Sequence, residues 1–356
     1  MIGFVFTGHL IQLKKEKKRA NKKKISLSEV TVIIPFRNEE KRIVNLLKSI
    51  TESIEKPKDI LFVNDHSEDD GENTIKHLLK NIPHQIIQLN KGESGKKTAI
   101  KTGIENTKSK YILTIDADVS FGEMYFKNIE TICENDLCIL PVDIQSNGIY
   151  KIFTLDVLLA NSLNISSNSF FRPIIASGAN LLFNKHSYLQ YEDISQHLHI
   201  RSGDDIYLLK KFNDQKIDID IYTNSNLKVY TKEENGISEI INQRSRWLSK
   251  MRYVKDTYSN SLTFFQGFVS LVYLVYLIVG WKYFSIEHYL LIILIKGIID
   301  QVSLLPYFYK LSKIKEWSLL PIFILIHPIY SLVILIASTN KKRLWKKRPL
   351  IDTSQF

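Results

Sequence analysis

From Val30 onward the chain alternates two kinds of hydrophobic spacing. Short β-branched runs, VTVIIP at 30–35, DILFVND at 59–65, HQIIQL at 84–89, YILTID at 111–116 and CILPVDI at 138–144, have the length and apolarity of core strands. Between them, 39–53, 70–80, 95–107 and 122–134 place their apolar residues at helical intervals. Strand alternating with helix predicts an open, mostly parallel α/β sheet with right-handed crossovers, and such sheets bind ligands beyond the carboxyl ends of their strands. The pattern then loosens into a helix near 150–167, an apolar run GANLLF at 178–183, a helix opening at Gly203, strands near 216–222 and 227–231, and an amphipathic helix near 237–254.

After about residue 260 the hydropathy rises to that of a bilayer interior, in segments near 262–281, 286–309 and 317–338. The second carries Lys296 and Asp300 four apart on one helical face, a pair that can neutralise itself. Residues 2–13 are apolar too, but at a rise of about 1.5 Å per residue they reach only about 18 Å of a hydrocarbon core about 30 Å thick. They predict an interfacial or half-inserted anchor, or the remnant of a longer helix. The expected division is 1–29 anchor and basic run, 30–235 catalytic domain, 236–260 amphipathic interface segment, 261–340 membrane region of two or three helices, and 341–356 basic tail. With a cytosolic catalytic domain, three full spans put that tail outside, against the positive-inside tendency, whereas a re-entrant hairpin around Pro321 and Pro328 returns it. On sequence alone both geometries stand.

Charge sharpens this picture. Of 356 residues, 48 are Lys or Arg and 37 are Asp or Glu, a net +11. The stretches 14–24 and 341–348 alone hold a net +13, leaving the remainder slightly acidic. Both lie beside apolar segments, as at a cytoplasmic membrane face, and this distribution argues against a nucleic-acid partner. The two cysteines, Cys133 and Cys138, lack the spacing of a zinc or redox pair and read as reduced thiols.

Three polar clusters carry the candidate chemistry. Asp116-Ala117-Asp118 ends a buried strand, where two alternating carboxylates are costly unless a cation neutralises them. Mg²⁺ or Mn²⁺ takes few protein carboxylates and completes its shell with water and phosphate oxygens, so the pair points to a nucleotide diphosphate. Asn64-Asp65-His66-Ser67 ends the second strand and suits a base or ribose, or equally the cap of the helix that follows. Residues 91–98, KGESGKKT, break the spacing of a phosphate loop, yet Lys96 at a helix N-terminus favours phosphate.

With these residues the chain resembles the family 2 glycosyltransferases, the group that includes cellulose, chitin and hyaluronan synthases. The resemblance runs from about Val30 to Met251. VIIPFRNEEKRI at 32–43 is similar to the family's opening strand and helix, and VNDHSEDD at 63–70 to its V-D-D-G-S-x-D, with Asn64 and His66 replacing Asp and Gly. Gly95-Lys96 with Ala99 resembles G-K-x-x-A, and Asp116-Ala117-Asp118 the metal-binding D-x-D. Gly178-Ala179-Asn180 resembles an acceptor-site element, Asp204-Asp205 stands where the family has paired acids at a helix start, and Gln243 to Trp247 is a complete Q-x-x-R-W.

The resemblance implies a GT-A fold followed by transmembrane helices, and an inverting transfer from a nucleotide-diphosphate sugar, a UDP-sugar by expectation, to a glycan or lipid-linked acceptor. It implies Asp205 as general base supported by Asp204, with Pro35, Asn38, Glu39, Asp65, Lys96, Asp116, Asp118 and Arg246 on the donor. Gly178, Ala179, Asn180, Gln243 and Trp247 fall on the acceptor side, and Mg²⁺ or Mn²⁺ on Asp118 and Asp116. The architecture suggests a bacterial inner membrane with the catalytic domain facing the cytoplasm. Two other readings accompany it: a catalytically silent nucleotide-sugar-binding scaffold, and a processive polysaccharide synthase, which would need partner subunits or a homo-oligomer to build a pore.

Overall fold

The computed structural model describes residues 2–198, 200, 203–339, 344–345 and 348–349. Most of the expected basic tail, together with His199, Arg201 and Ser202, lies outside the described residues. The chain forms two compact units. One is an α/β unit made chiefly of Glu16–Ile144 and Ile175–Lys232; the other is helical and contains the residues up to Lys15, Gln145–Ile174 and the chain from Glu233 to Thr339. Residues 145–174, read from sequence as part of the catalytic domain, thus fold with the helices.

Helix α1 (Ile2–Lys18) opens the chain and is followed by β1 (Val30–Phe36), α2 (Ile43–Glu52), β2 (Asp59–Asn64), α3 (Gly71–Leu78), β3 (Gln85–Gln88), α4 (Lys96–Glu105) and β4 (Tyr111–Ile115). These strands pair in parallel in the order β3-β2-β1-β4. β1 is buried along its whole length, which its β-branched residues make favourable. α4 packs so closely beneath the sheet that a Cβ at Gly103 would come 2.7 Å from Ile33 Cγ2. That approach fixes the height of Lys96 at the helix's first turn.

β5 (Ser120–Phe121), α5 (Tyr125–Ile129), β6 (Leu137–Ile139), β7 (Val142–Gln145), β8 (Asn180–Asn184), α7 (Lys185–Tyr191), α8 (Asp204–Asp214), β9 (Ile219–Ile221) and β10 (Val229–Lys232) complete the unit. β8 enters antiparallel between β4 and β6, and β9 adds parallel to β6, giving seven strands. The run at 138–144, expected as one strand, is two: β6 belongs to the large sheet and β7 to a small sheet ordered β5-β10-β7. Pro141 causes the change because it has no N–H for the ladder. Its carbonyl accepts the Val229 N–H at 3.1 Å and the Asn180 side-chain amide at 2.8 Å.

In the helical unit, α6 (Leu155–Phe170) lies against α1. A Cβ at Gly8 would come 2.6 Å from Ser166 Cα, and the His9 ring bonds Ser162 Oγ at 2.7 Å. α9 (Ile237–Val254) carries Gln243 to Trp247, and α10 (Thr257–Tyr283), α11 (Ile286–Lys310), the short α12 (Ile314–Trp317) and α13 (Leu320–Ser338) follow. α10, α11 and α13, of 27, 25 and 19 residues, are long and apolar enough to cross a membrane. Many of their large apolar side chains, such as Phe264, Ile278, Leu294 and Ile336, face outward. The hairpin considered around Pro321 and Pro328 is instead one continuous helix: Pro321 sits in its first turn, where no N–H is needed, and Pro328 in its interior. Lys296 and Asp300 are ion-paired within α11.

Candidate active site

The carboxyl ends of β1 and β2 are adjacent, with Phe36 opposite Asn64, and the loops leaving them are bonded together. Ser67 Oγ accepts the Asn38 N–H at 3.1 Å, and Asn38 Oδ1 accepts the Glu68 N–H at 2.8 Å. Asn64 Oδ1 accepts the Ser67 N–H at 2.8 Å. Ser67 therefore braces the β1 loop, and the capping contact at the start of α3 comes from Asp69, whose carboxylate accepts the Gly71 N–H at 3.3 Å. Asp65 is buried beside Arg37, which donates to its carbonyl at 2.6 Å and lies 3.8 Å from its carboxylate. Arg37 is an addition to the residues read from sequence; its position just after a buried strand was the available signal. Pro35 and Glu39 are buried, so they shape this loop from within.

At the neighbouring strand end, Asp116 and Asp118 are partly exposed while Ala117 and Val119 are buried. This alternation puts both carboxylates on the open side. Lys96 Nζ lies 2.7 Å from Asp116 Oδ1 and 3.3 Å from Asp204 Oδ2. Burial disfavours its charge, but Asp116, Asp204 and Asp205 together outweigh that and raise its pKa above the ordinary lysine value. It is a fixed cation.

Gly203, with φ of 90°, turns the chain into α8, whose first turn holds Asp204 and Asp205. Asp205 accepts the Gly178 N–H at 3.0 Å on one carboxylate oxygen and the Ile206 N–H at 2.8 Å on the other. Gly178 is required for closeness: any Cβ there would meet the Asp204 carboxylate and lie 2.8 Å from Lys96 Nζ. The structure thus gathers Lys96, Asp116, Gly178, Asp204 and Asp205 within one contact network.

Asn180 takes a different place from the one expected. It is fully buried, its carbonyl accepting the Tyr125 hydroxyl at 2.5 Å and its amide donating to Pro141 and Leu227 carbonyls at 2.8 and 2.9 Å. With those groups engaged it cannot reach an acceptor sugar; it anchors the strand that presents Gly178 and Ala179.

Gln243, Arg246 and Trp247 belong to the helical unit and sit on α9. The residue among them that fixes the helix is Arg244. Its guanidinium donates to Asp156 at 2.8 Å and Glu233 at 2.6 Å, contacts Gln243, and lies 4.7 Å from the centre of the Trp247 ring. One face of the indole is therefore covered by a cation.

The donor set suits a hard divalent cation. Two carboxylates face the open side, and among the described residues no group of three or more His, Cys, Asp or Glu side chains could enclose an ion. Asp116 and Asp118 would hold such a cation with oxygens of another molecule completing its shell.

A central sheet of this order, with D-x-D at one strand end and paired acids at a helix start beside it, defines a GT-A nucleotide-diphospho-sugar transferase fold. Residues 31–153, about a third of the chain, match the model of glycosyl transferase family 2. Among solved structures, a Pyrobaculum calidifontis mannosyltransferase superposes with a TM-score of 0.55 over 95% of this chain and 96% of its own, at 13% identity, a likeness of fold. Among curated proteins, the 4,4'-diaponeurosporenoate glycosyltransferase of Staphylococcus aureus strain bovine RF122 / ET3-1 is 31% identical over 114 residues. That of strain N315 is 34% identical over 92 residues. The first match covers 32% of this chain and spans 30% of the relative's length.

Proposed function

We propose that the chain is an inverting glycosyltransferase. It would move one sugar from a nucleotide-diphosphate sugar, a UDP-sugar by preference, to a hydroxyl of a glycan or lipid-linked acceptor at the cytosolic face of a bacterial inner membrane. The observation that carries this reading is the meeting at Lys96, whose ammonium contacts both Asp116 of the D-x-D and Asp204 of the paired acids. This contact supports a reading in which donor diphosphate chemistry and acceptor deprotonation meet.

In this reading Asp205 takes the proton of the acceptor hydroxyl. The hydroxyl oxygen attacks the anomeric carbon from the face opposite the diphosphate, so the new glycosidic bond forms as the bond to the diphosphate breaks, with inversion. Lys96 balances the charge that develops on the leaving group. Mg²⁺ or Mn²⁺ bound through Asp118 and Asp116 would supply further neutralisation of the diphosphate. Trp247, whose indole carries the Arg244 guanidinium on one face, is an aromatic of the kind on which sugar rings pack.

The fold neighbour was solved with GDP-Man and Mn²⁺, and the S. aureus relatives are named for 4,4'-diaponeurosporenoate. A donor panel therefore includes GDP-sugars, and an acceptor panel includes apolar hydroxyl and carboxylate compounds. A silent scaffold is disfavoured by the retention of Asp205 and the Q-x-x-R-W. Processive synthesis is disfavoured because α10 and α13 hold few ionisable groups to line a polar path. The test is release of nucleotide diphosphate by purified full-length protein in detergent, followed by product sizing in proteoliposomes with a radiolabelled donor. Transfer of one or a few sugars is expected; no release from any donor supports the scaffold, and long polymer inside a sealed lumen supports the synthase.

A further inference from the structure

The paired acids Asp204 and Asp205 line a small cavity of about 20 Å³ together with Lys97, Glu192 and His197. The last three form a buried chain that the transfer as described does not use. Lys97 Nζ lies 2.9 Å from His197 Nδ1 and donates to the His197 carbonyl at 2.9 Å; His197 Nε2 lies 2.6 Å from Glu192 Oε1. The ammonium has only donors, so Nδ1 must accept and Nε2 must carry the ring proton to Glu192. One tautomer of the imidazole is fixed in this way.

The ring is also held on its face. It stacks on Tyr207 of α8 with centroids 4.0 Å apart and planes 8° apart, and Lys97 Nζ lies 4.4 Å from the centre of the same tyrosine ring. Lys96 and Lys97 therefore both reach the start of α8 from the first turn of α4, Lys96 through Asp204 and Lys97 through Tyr207 and His197. Burying such charged groups seldom increases stability over apolar packing of the same volume, and in some proteins it specifies one arrangement instead.

We propose that His197, clamped between Lys97 and Glu192 and stacked on Tyr207, is a positioning residue for the transfer: it sets the first turn of α8 so that Asp205 meets the acceptor hydroxyl. The proposal rests on Asp205 being the general base. Small displacements of a reacting group cost up to about 100-fold in rate. His197→Ala should lower kcat by about 10- to 100-fold while donor KM and nucleotide-diphosphate affinity stay within about twofold. His197→Gln should recover most of kcat, since its amide offers one N–H toward Glu192 and one oxygen toward Lys97.

The experiment measures kcat and donor KM of full-length protein in detergent for both variants, for Asp205→Asn, and for Asp205→Asn combined with His197→Ala. With no base left to position, the double variant should be no slower than Asp205→Asn alone. Should His197→Ala not fold, Tyr207→Leu, which removes the stacking partner, takes its place and should show the same kcat-selective loss. His197→Ala at wild-type kcat beside an inactive Asp205→Asn overturns this proposal alone. So does an additive double variant, or equal loss in His197→Gln. Near-normal turnover of Asp205→Asn removes the base reading and this proposal with it.

Discussion

The backbone N–H of Gly178 donates to the Asp205 carboxylate at 3.0 Å, so the proposed base is oriented from outside its own helix. An amide of the same shape keeps one of the two N–H contacts of Asp205 through its oxygen and loses the other, and it cannot take a proton. Asp205→Asn should therefore lower transfer by about 10²- to 10⁴-fold, the usual worth of a general base, while binding of the nucleotide diphosphate persists. Steady-state transfer beside calorimetric UDP binding checks both halves; turnover near that of the parent would refute the assignment.

Gly178→Ala should be nearly as damaging from a position with no chemistry of its own. The new Cβ collides with the Asp204 carboxylate and lies 2.8 Å from Lys96 Nζ. Both are ends of flexible side chains, so they swing away and the fold survives with a cost of about 1 to 3 kcal/mol. The expected readout is a fall in kcat of about 100-fold with a cooperative thermal transition retained. Unchanged kcat would mean that the Lys96 to Asp204 contact has no part in transfer.

Divalent dependence follows from the two carboxylates on the open side of residues 116–118. Asp118→Ala, or a chelator added to the parent, should abolish the metal-dependent part of UDP binding. Titration calorimetry with and without Mg²⁺ or Mn²⁺ decides it, and equal UDP affinity in both conditions would contradict the prediction.

Arg244 gives a prediction about stability. Its guanidinium lies between the buried Glu233 and Asp156, and Asp156 also accepts the Tyr330 hydroxyl at 2.8 Å. Arg244→Met strands two carboxylates and should cost about 3 to 5 kcal/mol. Burial raises the Glu233 pKa even though Arg244 opposes the shift. A carboxyl whose folded pKa is raised adds stability below that pKa and loses it as pH rises through it. The deficit of Arg244→Met should therefore shrink as pH is lowered, which thermal unfolding in detergent across pH 5 to 8 would show; a deficit that grows toward low pH would exclude Glu233 as its source.

Much of the α/β unit was legible because its strands are continuous β-branched runs whose ends coincide with polar clusters, as at Ile115 and Asp116. The break at Pro141 was legible only in part. The hydrophobic pattern runs across it, and the missing N–H was the sole sign that β6 and β7 lie in different sheets. Asn180 was misplaced because a motif records that a residue is needed without recording whether it faces ligand or protein. The contacts of Lys97 with His197 were beyond reach, since a hundred residues separate them and only the folding of the turn at 194–197 onto α4 joins them.

The three membrane-length helices are unequal, and the inequality makes the bilayer a variable. At about 1.5 Å per residue the 27 residues of α10 extend about 40 Å, whereas the 19 of α13 extend about 28 Å. A hydrocarbon layer about 30 Å thick would leave the longer helix length to spare at its polar first turns, whereas the shorter would be used in full and would feel any thickening first. α13 is also the helix that packs on α9 and supplies Tyr330 to Asp156, the carboxylate that holds Arg244 beside Trp247. Lipid chain length would thus be linked to the indole through two hydrogen bonds and one stacked cation.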